Sequence, residues 1–261
     1  MMRKPLVGTG WKMNCGPAAA IAYAARLRAL LAGQRTEGLD IFVLPPFVSL
    51  SAAADAFASS PVAIGGQNMH WEVDGSWTGE ISAPMLREVG CRYAELAHSE
   101  RLQHFGETYE LVRLKLDAAV VAGLTPILCL GESAVDKASG QSDETLRYQV
   151  TTALAGQTAE TIPGVVLAYE PRWAIGQAEA APPDYVEARH AGLRALLAEF
   201  WGERTAAETR IIYGGSVSPS NGPGLIALPN VDGLFIGRSA WTPEGFAAMV
   251  RIVAEAKLAQ A

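Results

Sequence analysis

Three side chains in this 261-residue chain are suited to acid–base work, and two glycine-rich segments are suited to an anion. Glu170 closes a nearly all-apolar run and is followed by Pro171, Trp173 and Ile175. Burial beside those apolar side chains raises a carboxyl's pKa and makes it a better base. His98, in Ala97-His98-Ser99-Glu100-Arg101, offers an imidazole that can donate to, or exchange protons with, a substrate oxygen. Lys12 follows Gly10 by two residues, so both lie on the same side of an extended segment. An ammonium aimed into a closed site is costly unless it meets an anion. Tyr213-Gly214-Gly215-Ser216-Val217 and Gly233-Leu234-Phe235-Ile236-Gly237-Arg238-Ser239 let backbone N–H groups approach a phosphate closely. Each segment alone has a plainer explanation. Lys12 fits a solvated loop, His98 a hydrogen-bonded structural imidazole, Glu170 a cap or the partner of Arg101, and each glycine pair a tight turn. What argues for chemistry is their joint appearance, in order, at the ends of successive elements.

Those elements read as an alternation. Short β-rich runs fall at residues 6–10, 41–44, 62–65, 93–96, 126–130, 165–169, 210–213 and 233–236. Between them lie Ala-, Leu- and Glu-rich stretches with helical spacing, clearest at 17–31, 107–121, 144–155, 183–201 and 243–256. Eight units in this length leave about 33 residues each, the size of one strand–helix repeat. The expected architecture is α/β, a single (β/α)8 barrel over residues 1–261 with no linker. In such barrels catalytic groups sit at the C-terminal ends of the strands, and phosphate sits after strands seven and eight. An open doubly wound sheet would call for a Gly-x-Gly-x-x-Gly turn after the first strand, and Gly8-Thr9-Gly10 has no third glycine in register.

Composition narrows the class. Hydrophobic residues at 49% and charged residues at 18% support a packed core and exclude a disordered chain. A formal net charge of -6 opposes binding to nucleic acid or an anionic membrane. No apolar run approaches the ~18 residues of a spanning helix, and the N-terminal residues lack the apolar stretch of an export signal. Cys15, Cys91 and Cys129 are odd in number and widely spaced, as expected of a reduced, cytoplasmic protein. His70, His98, His104 and His190 show no metal-ligand spacing, so neither a metal nor another cofactor is expected.

The ordered motifs resemble triosephosphate isomerase over essentially the whole chain. They are Trp11-Lys12-Met13-Asn14, Gln67-Asn68, Thr78-Gly79-Glu80-Ile81-Ser82, Ala97-His98-Ser99-Glu100-Arg101, Phe105-Gly106-Glu107, Cys129-Leu130-Gly131-Glu132, Ala168-Tyr169-Glu170-Pro171, Trp173-Ala174-Ile175-Gly176 and Tyr213-Gly214-Gly215-Ser216-Val217. The resemblance implies a TIM barrel in which Glu170 moves a proton between adjacent carbons. Lys12 and His98 would stabilise the enediolate oxygen, and Glu100 would orient Lys12. It also implies a neutral histidine and a closing loop, the arrangement known from triosephosphate isomerase itself. Gly176, Ser216, Gly237 and the Arg238 backbone would hold the substrate phosphate, and residues 171–180 would form the lid. A homodimer through the loop around Trp77 and Thr78 is implied as well.

The chain departs from the family pattern in places. Gly10 stands where the family has an asparagine, Arg238 where it has a glycine, Arg172 where it has an apolar lid residue and Leu102 where it has an arginine. Aromatic residues are added around Gln67-Asn68-Met69-His70-Trp71 and Trp77. These departures resemble the tetrulose-phosphate (L-erythrulose-1-phosphate) isomerase branch, whose substrate carries one hydroxymethyl group more than a triose phosphate. Truncating asparagine to Gly10 would leave room for it. Two other classes fare worse. A binding barrel that had lost catalysis should lack Lys12, His98 or Glu170. A Schiff-base aldolase needs a lysine within a middle strand, and none carries one.

Overall fold

The computed structural model describes residues 3–258. The expected eight strands are all present, as β1 (Leu6–Gly10), β2 (Asp40–Leu44), β3 (Val62–Gly66), β4 (Tyr93–Leu96), β5 (Thr125–Leu130), β6 (Val166–Tyr169), β7 (Arg210–Gly214) and β8 (Gly233–Ile236). Every neighbouring pair is parallel, and β1 pairs with both β2 and β8, so the sheet closes into a barrel in sequence order. Among the described residues eleven α-helices surround it: α1 (Pro17–Leu31), α2 (Leu50–Phe57), α3 (Ala83–Glu88), α4 (Ser99–His104), α5 (Tyr109–Val121), α6 (Ala134–Ala138), α7 (Ser142–Ala153), α8 (Pro183–Trp201), α9 (Glu203–Glu208), α10 (Gly222–Ile226) and α11 (Pro243–Leu258). None of the described helices is long and apolar enough to cross a membrane.

Helix ends follow capping chemistry. The helix expected over 107–121 begins at Tyr109, because the Thr108 side chain accepts the Leu111 N–H and fixes the N-cap there. Glu107 is left outside the helix and forms a buried ion pair with Lys115, whose ammonium also donates to Asn68 Oδ1 at 2.8 Å. Pro17 and Pro183 start α1 and α8 at the first helical turn, where a missing N–H costs nothing.

Strand periodicity separates two cores. Residues of one parity point into the barrel: Leu6, Phe42, Leu44, Tyr93, Ile127, Cys129, Val166, Ala168, Ile212 and Phe235 form one closed cluster. The other parity packs outward under the helices, where Trp11 meets Tyr23 edge-on at 4.7 Å between ring centroids. Extending the inward rows toward the C-terminal ends of the strands leads to Gly10, Glu95, Glu170 and Gly214, so alternation itself delivers these residues to one mouth.

Candidate active site

A cavity of about 1070 Å³ opens at that mouth and is lined by Gly10, Lys12, His98, Glu170, Ser216 and Arg238 among others. The positions expected from the sequence therefore come together, Gly176 and Gly237 included.

Lys12 is placed by its backbone. Its φ of 52° is a left-handed conformation, unfavourable for a side-chain-bearing residue by roughly 1–2 kcal/mol. The surroundings hold it there. Gln67 Nε2 donates to the Lys12 and Leu44 carbonyls at 2.9 and 2.8 Å, and Asn14 Nδ2 donates to the Trp11 carbonyl. The ammonium then reaches Glu100 Oε1 at 2.5 Å. Partial burial works to raise the pKa of Glu100, but the hydrogen bond from Lys12 and the nearby positive charge outweigh it and hold the carboxyl below its ordinary value.

His98 ends the loop after β4 and caps the short helix α4. Its Nδ1 accepts the Glu100 backbone N–H at 3.3 Å. A nitrogen that accepts cannot carry the proton, so in the neutral ring Nε2 is the donor. Burial, with Lys12 adding to it, pushes the imidazole pKa down to about 4. Near neutral pH the ring is uncharged, and its Nε2–H faces Glu170 Oε2 at 3.7 Å.

Glu170 is 7% exposed and forms no ion pair with Arg101. Arg101 lies 3.5 Å from Glu107 instead, which removes the structural-partner explanation of Glu170. Burial raises the Glu170 pKa to about 7, against the opposing pull of Lys12. Gly214, expected as part of a phosphate cradle, has a different reason for being glycine. A Cβ there would lie 2.5 Å from Glu170 Oε1, so the missing side chain makes space for the carboxylate.

The segment after Glu170 is tied to the barrel at both ends. Trp173 Nε1 donates to Glu132 Oε1 at 2.7 Å, and the Ala181 N–H donates to Tyr213 Oη at 3.1 Å. The Ser216 hydroxyl lies 2.8 Å from the Ala174 carbonyl and 2.9 Å from that of Gln177. Arg238 adds a cationic tether, since its guanidinium donates to the Gly176 and Gln177 carbonyls at 3.1 Å. Lys12, Ala97 and Ser216 all have positive φ. Left-handed non-glycine residues thus occur in the loops after β1, β4 and β7, all at this mouth.

The loop expected at a subunit interface folds around its own aromatics. His70 stacks on Trp71 at 4.0 Å between centroids and packs against Trp77 at 4.3 Å. Trp77 nevertheless keeps 46% of its surface exposed, and Thr78 is exposed beside it.

Glu95, a buried ionisable residue of the cavity lining, is not among the site residues expected from the sequence. The signal was an ionisable residue inside the strand Tyr93-Ala94-Glu95-Leu96 on the inward parity.

Comparison with known proteins places this geometry. The family model for triosephosphate isomerase matches residues 5–253. The chain is 43% identical over 250 residues to a triosephosphate isomerase of Herpetosiphon aurantiacus, covering 96% of this chain and 99% of that one. It is 44% identical over 242 residues to an L-erythrulose-1-phosphate isomerase of Mesorhizobium japonicum, covering 92% and 93%. The crystal structure of triosephosphate isomerase from Bartonella henselae superposes with a TM-score of 0.85 at 30% identity, covering 95% of this chain and 98% of that one. A closed eight-stranded barrel, matched along nearly its full length by sequence and by fold, makes this chain an isomerase belonging to the triosephosphate isomerase family.

Proposed function

We propose that the protein moves a carbonyl between adjacent carbons of a phosphorylated sugar through an enediolate. Glu170 removes the proton from the hydroxyl-bearing carbon and returns it to the neighbouring one. The Nε2–H of His98 and the ammonium of Lys12 stabilise the oxygen that gains charge, and His98 exchanges the hydroxyl proton between the two oxygens. The observation that carries this reading is the convergence of the three groups, with His98 Nε2 and Glu170 Oε2 at 3.7 Å and Lys12 held beside them by Glu100. A positioned base contributes roughly 10²–10⁴-fold, and each preorganised oxyanion donor on the order of 3 kcal/mol. Backbone N–H groups around Gly176, Ser216, Gly237 and Arg238 hold the phosphate, and the tethered segment excludes water from the mouth.

The favoured substrate is L-erythrulose 1-phosphate, giving D-erythrulose 4-phosphate. Gly10 supports this choice: a Cβ there would meet nothing nearer than Phe235 at 3.6 Å, and its backbone does not require glycine. The side chain is therefore absent without steric need, and space is left beside the reacting carbons. The relative in Mesorhizobium japonicum bears the name of that activity. The second reading, interconversion of dihydroxyacetone phosphate and D-glyceraldehyde 3-phosphate, draws on the equally similar relative in Herpetosiphon aurantiacus. In both readings residues 1–261 act as one domain in the cytoplasm, paired as a homodimer through the loop around Trp77 and Thr78.

The test is kcat/KM for L-erythrulose 1-phosphate and dihydroxyacetone phosphate, measured side by side on the purified protein. A preference of tenfold or more for the four-carbon sugar supports the favoured substrate. A preference of that size for the triose selects the second reading, and turnover of neither overturns both.

A further inference from the structure

Glu95 has no part in the mechanism above, yet it stands at the floor of the cavity. It lies on β4 with the inward parity of Tyr93, is 5% exposed, and lines the same space as Gly10, His98, Glu170 and Phe235. Among the described residues its only hydrogen-bonding neighbour is the Cys129 thiol, 3.9 Å from Oε1, a weak donor at long range. No lysine, arginine or histidine pairs with it among the described residues. A buried carboxyl this poorly satisfied is costly, so a structure that retains it calls for a use.

The position suggests the use. Glu95 Oε1 is 3.9 Å from where a Cβ on Gly10 would stand, so its carboxyl borders the volume that the missing side chain leaves open. A carboxyl edge and an opened wall are what a small hydroxylated substituent needs. The groups facing Glu95 are Glu170, Lys12, Glu100 and Cys129. Burial, with the charge of Glu170 adding to it, raises the Glu95 pKa well above the ordinary carboxyl value against the opposing pull of Lys12. Protonated, the group can donate as well as accept.

We propose that Glu95 is the specificity-determining residue of the site: its carboxyl hydrogen-bonds the terminal hydroxyl that a four-carbon sugar phosphate carries next to the reacting carbons and a triose phosphate lacks. The proposal rests on the isomerase reading of this cavity and deepens it by naming the group that selects chain length. A site built to bond a substrate hydroxyl discriminates far more strongly than an apolar pocket that merely accommodates it. Gly10 supplies the room and Glu95 supplies the contact.

The experiment measures kcat and KM of the wild type, E95Q, E95A and E95L with L-erythrulose 1-phosphate and with dihydroxyacetone phosphate. Loss of the hydroxyl contact should lower kcat/KM for the four-carbon sugar in E95A and E95L by at least ~10-fold more than for the triose. E95Q has the same shape, and its amide still donates, so it should keep the wild-type ratio between the two sugars within about threefold. A purely structural role would lower both activities together and leave the ratio unchanged. Equal losses on the two sugars in E95A and E95L, or a ratio that shifts as far in E95Q as in E95L, would overturn the role of Glu95 while leaving the isomerase reading intact. Should E95A and E95L fail to fold, the wild type on L-erythrulose 1-phosphate lacking its terminal hydroxyl decides: kcat/KM at least ~10-fold below that for the parent sugar supports the contact, and an unchanged value overturns it. Wild-type protein that turns over neither sugar overturns the isomerase reading, and Glu95's role with it.

Discussion

Glu170 Oε2 and His98 Nε2 face each other at 3.7 Å across the mouth of the barrel, too far apart for a hydrogen bond. Neither group satisfies the other. The carboxyl has its pKa raised to about 7 and the imidazole has its own lowered to about 4. Two titratable groups pushed in opposite directions within one cavity divide the labour of proton transfer.

The pH dependence follows from those directions. Glu170 must be ionised to act as base, so kcat/KM should fall tenfold per pH unit below an apparent pKa near 7. His98 stays neutral down to about pH 4 and should add no second acid limb above pH 5. A pH–rate profile of the wild type checks both. In kcat, which is free of the phosphate ionisation of unbound substrate, an acid limb of slope two between pH 5 and 7 would contradict the assignment of His98.

Stability should carry the same signature with the opposite consequence. The folded-state pKa of Glu170 lies above its unfolded value, so ionising it in place destabilises the fold. That cost is absent below about pH 4.5, grows toward pH 7 and is complete above it, on the order of 3 kcal/mol. Glu170→Gln removes the charge and should raise the thermal midpoint relative to wild type at pH 8, with the gap closing by pH 5. Midpoints from circular dichroism at the two pH values give the answer, and a gap that is constant with pH would count against a buried ionised Glu170.

Much of this arrangement is legible in the sequence, and the particular failures are instructive. All eight strands could be placed because short apolar runs with turn signals on either side recur along the whole chain, alternating with helical stretches. Helices α1 and α8 showed the same bounds in sequence and structure because proline starts each and the period persists for 15 and 19 residues. The short helices α2, α3, α4, α6, α9 and α10, at five to eight residues, escaped because no window is long enough to show a 3.6-residue period. Lys12, His98 and Glu170 stood out as polar residues at strand ends. Glu95 did not, because its strand reads as buried and only the closed barrel shows which parity faces the cavity. Gly214 was noticed for a loop-forming reason, although its close approach to Glu170 appears only in three dimensions.

Gly214 should therefore be sensitive through Glu170. In Gly214→Ala the new methyl would lie 2.5 Å from the carboxylate oxygen and displace it, and misplacing a base by ~1 Å can cost about 10²-fold. The expected result is a fall of about that size in kcat on whichever sugar the wild type uses, with far-ultraviolet circular dichroism unchanged. Wild-type kcat in this variant would remove the steric argument.

Filling the space at Gly10 should separate the two substrates. The site of a Cβ is open, so Gly10→Asn should fold normally while its carboxamide occupies the volume beside Glu95. Activity on L-erythrulose 1-phosphate is expected to drop by about 10-fold or more beyond any change on dihydroxyacetone phosphate. Kinetics of the single variant on both sugars suffice, and equal losses would reduce Gly10 to a neutral replacement.

The central claim is that Glu170 carries a proton between substrate carbons, and isotope exchange tests it most directly. In D2O, nuclear magnetic resonance should show the wild type introducing deuterium at the carbon that receives the proton, at a rate comparable to turnover. Glu170→Gln should slow both exchange and isomerisation by at least ~10². Exchange and turnover at wild-type rates in that folded variant would contradict the account.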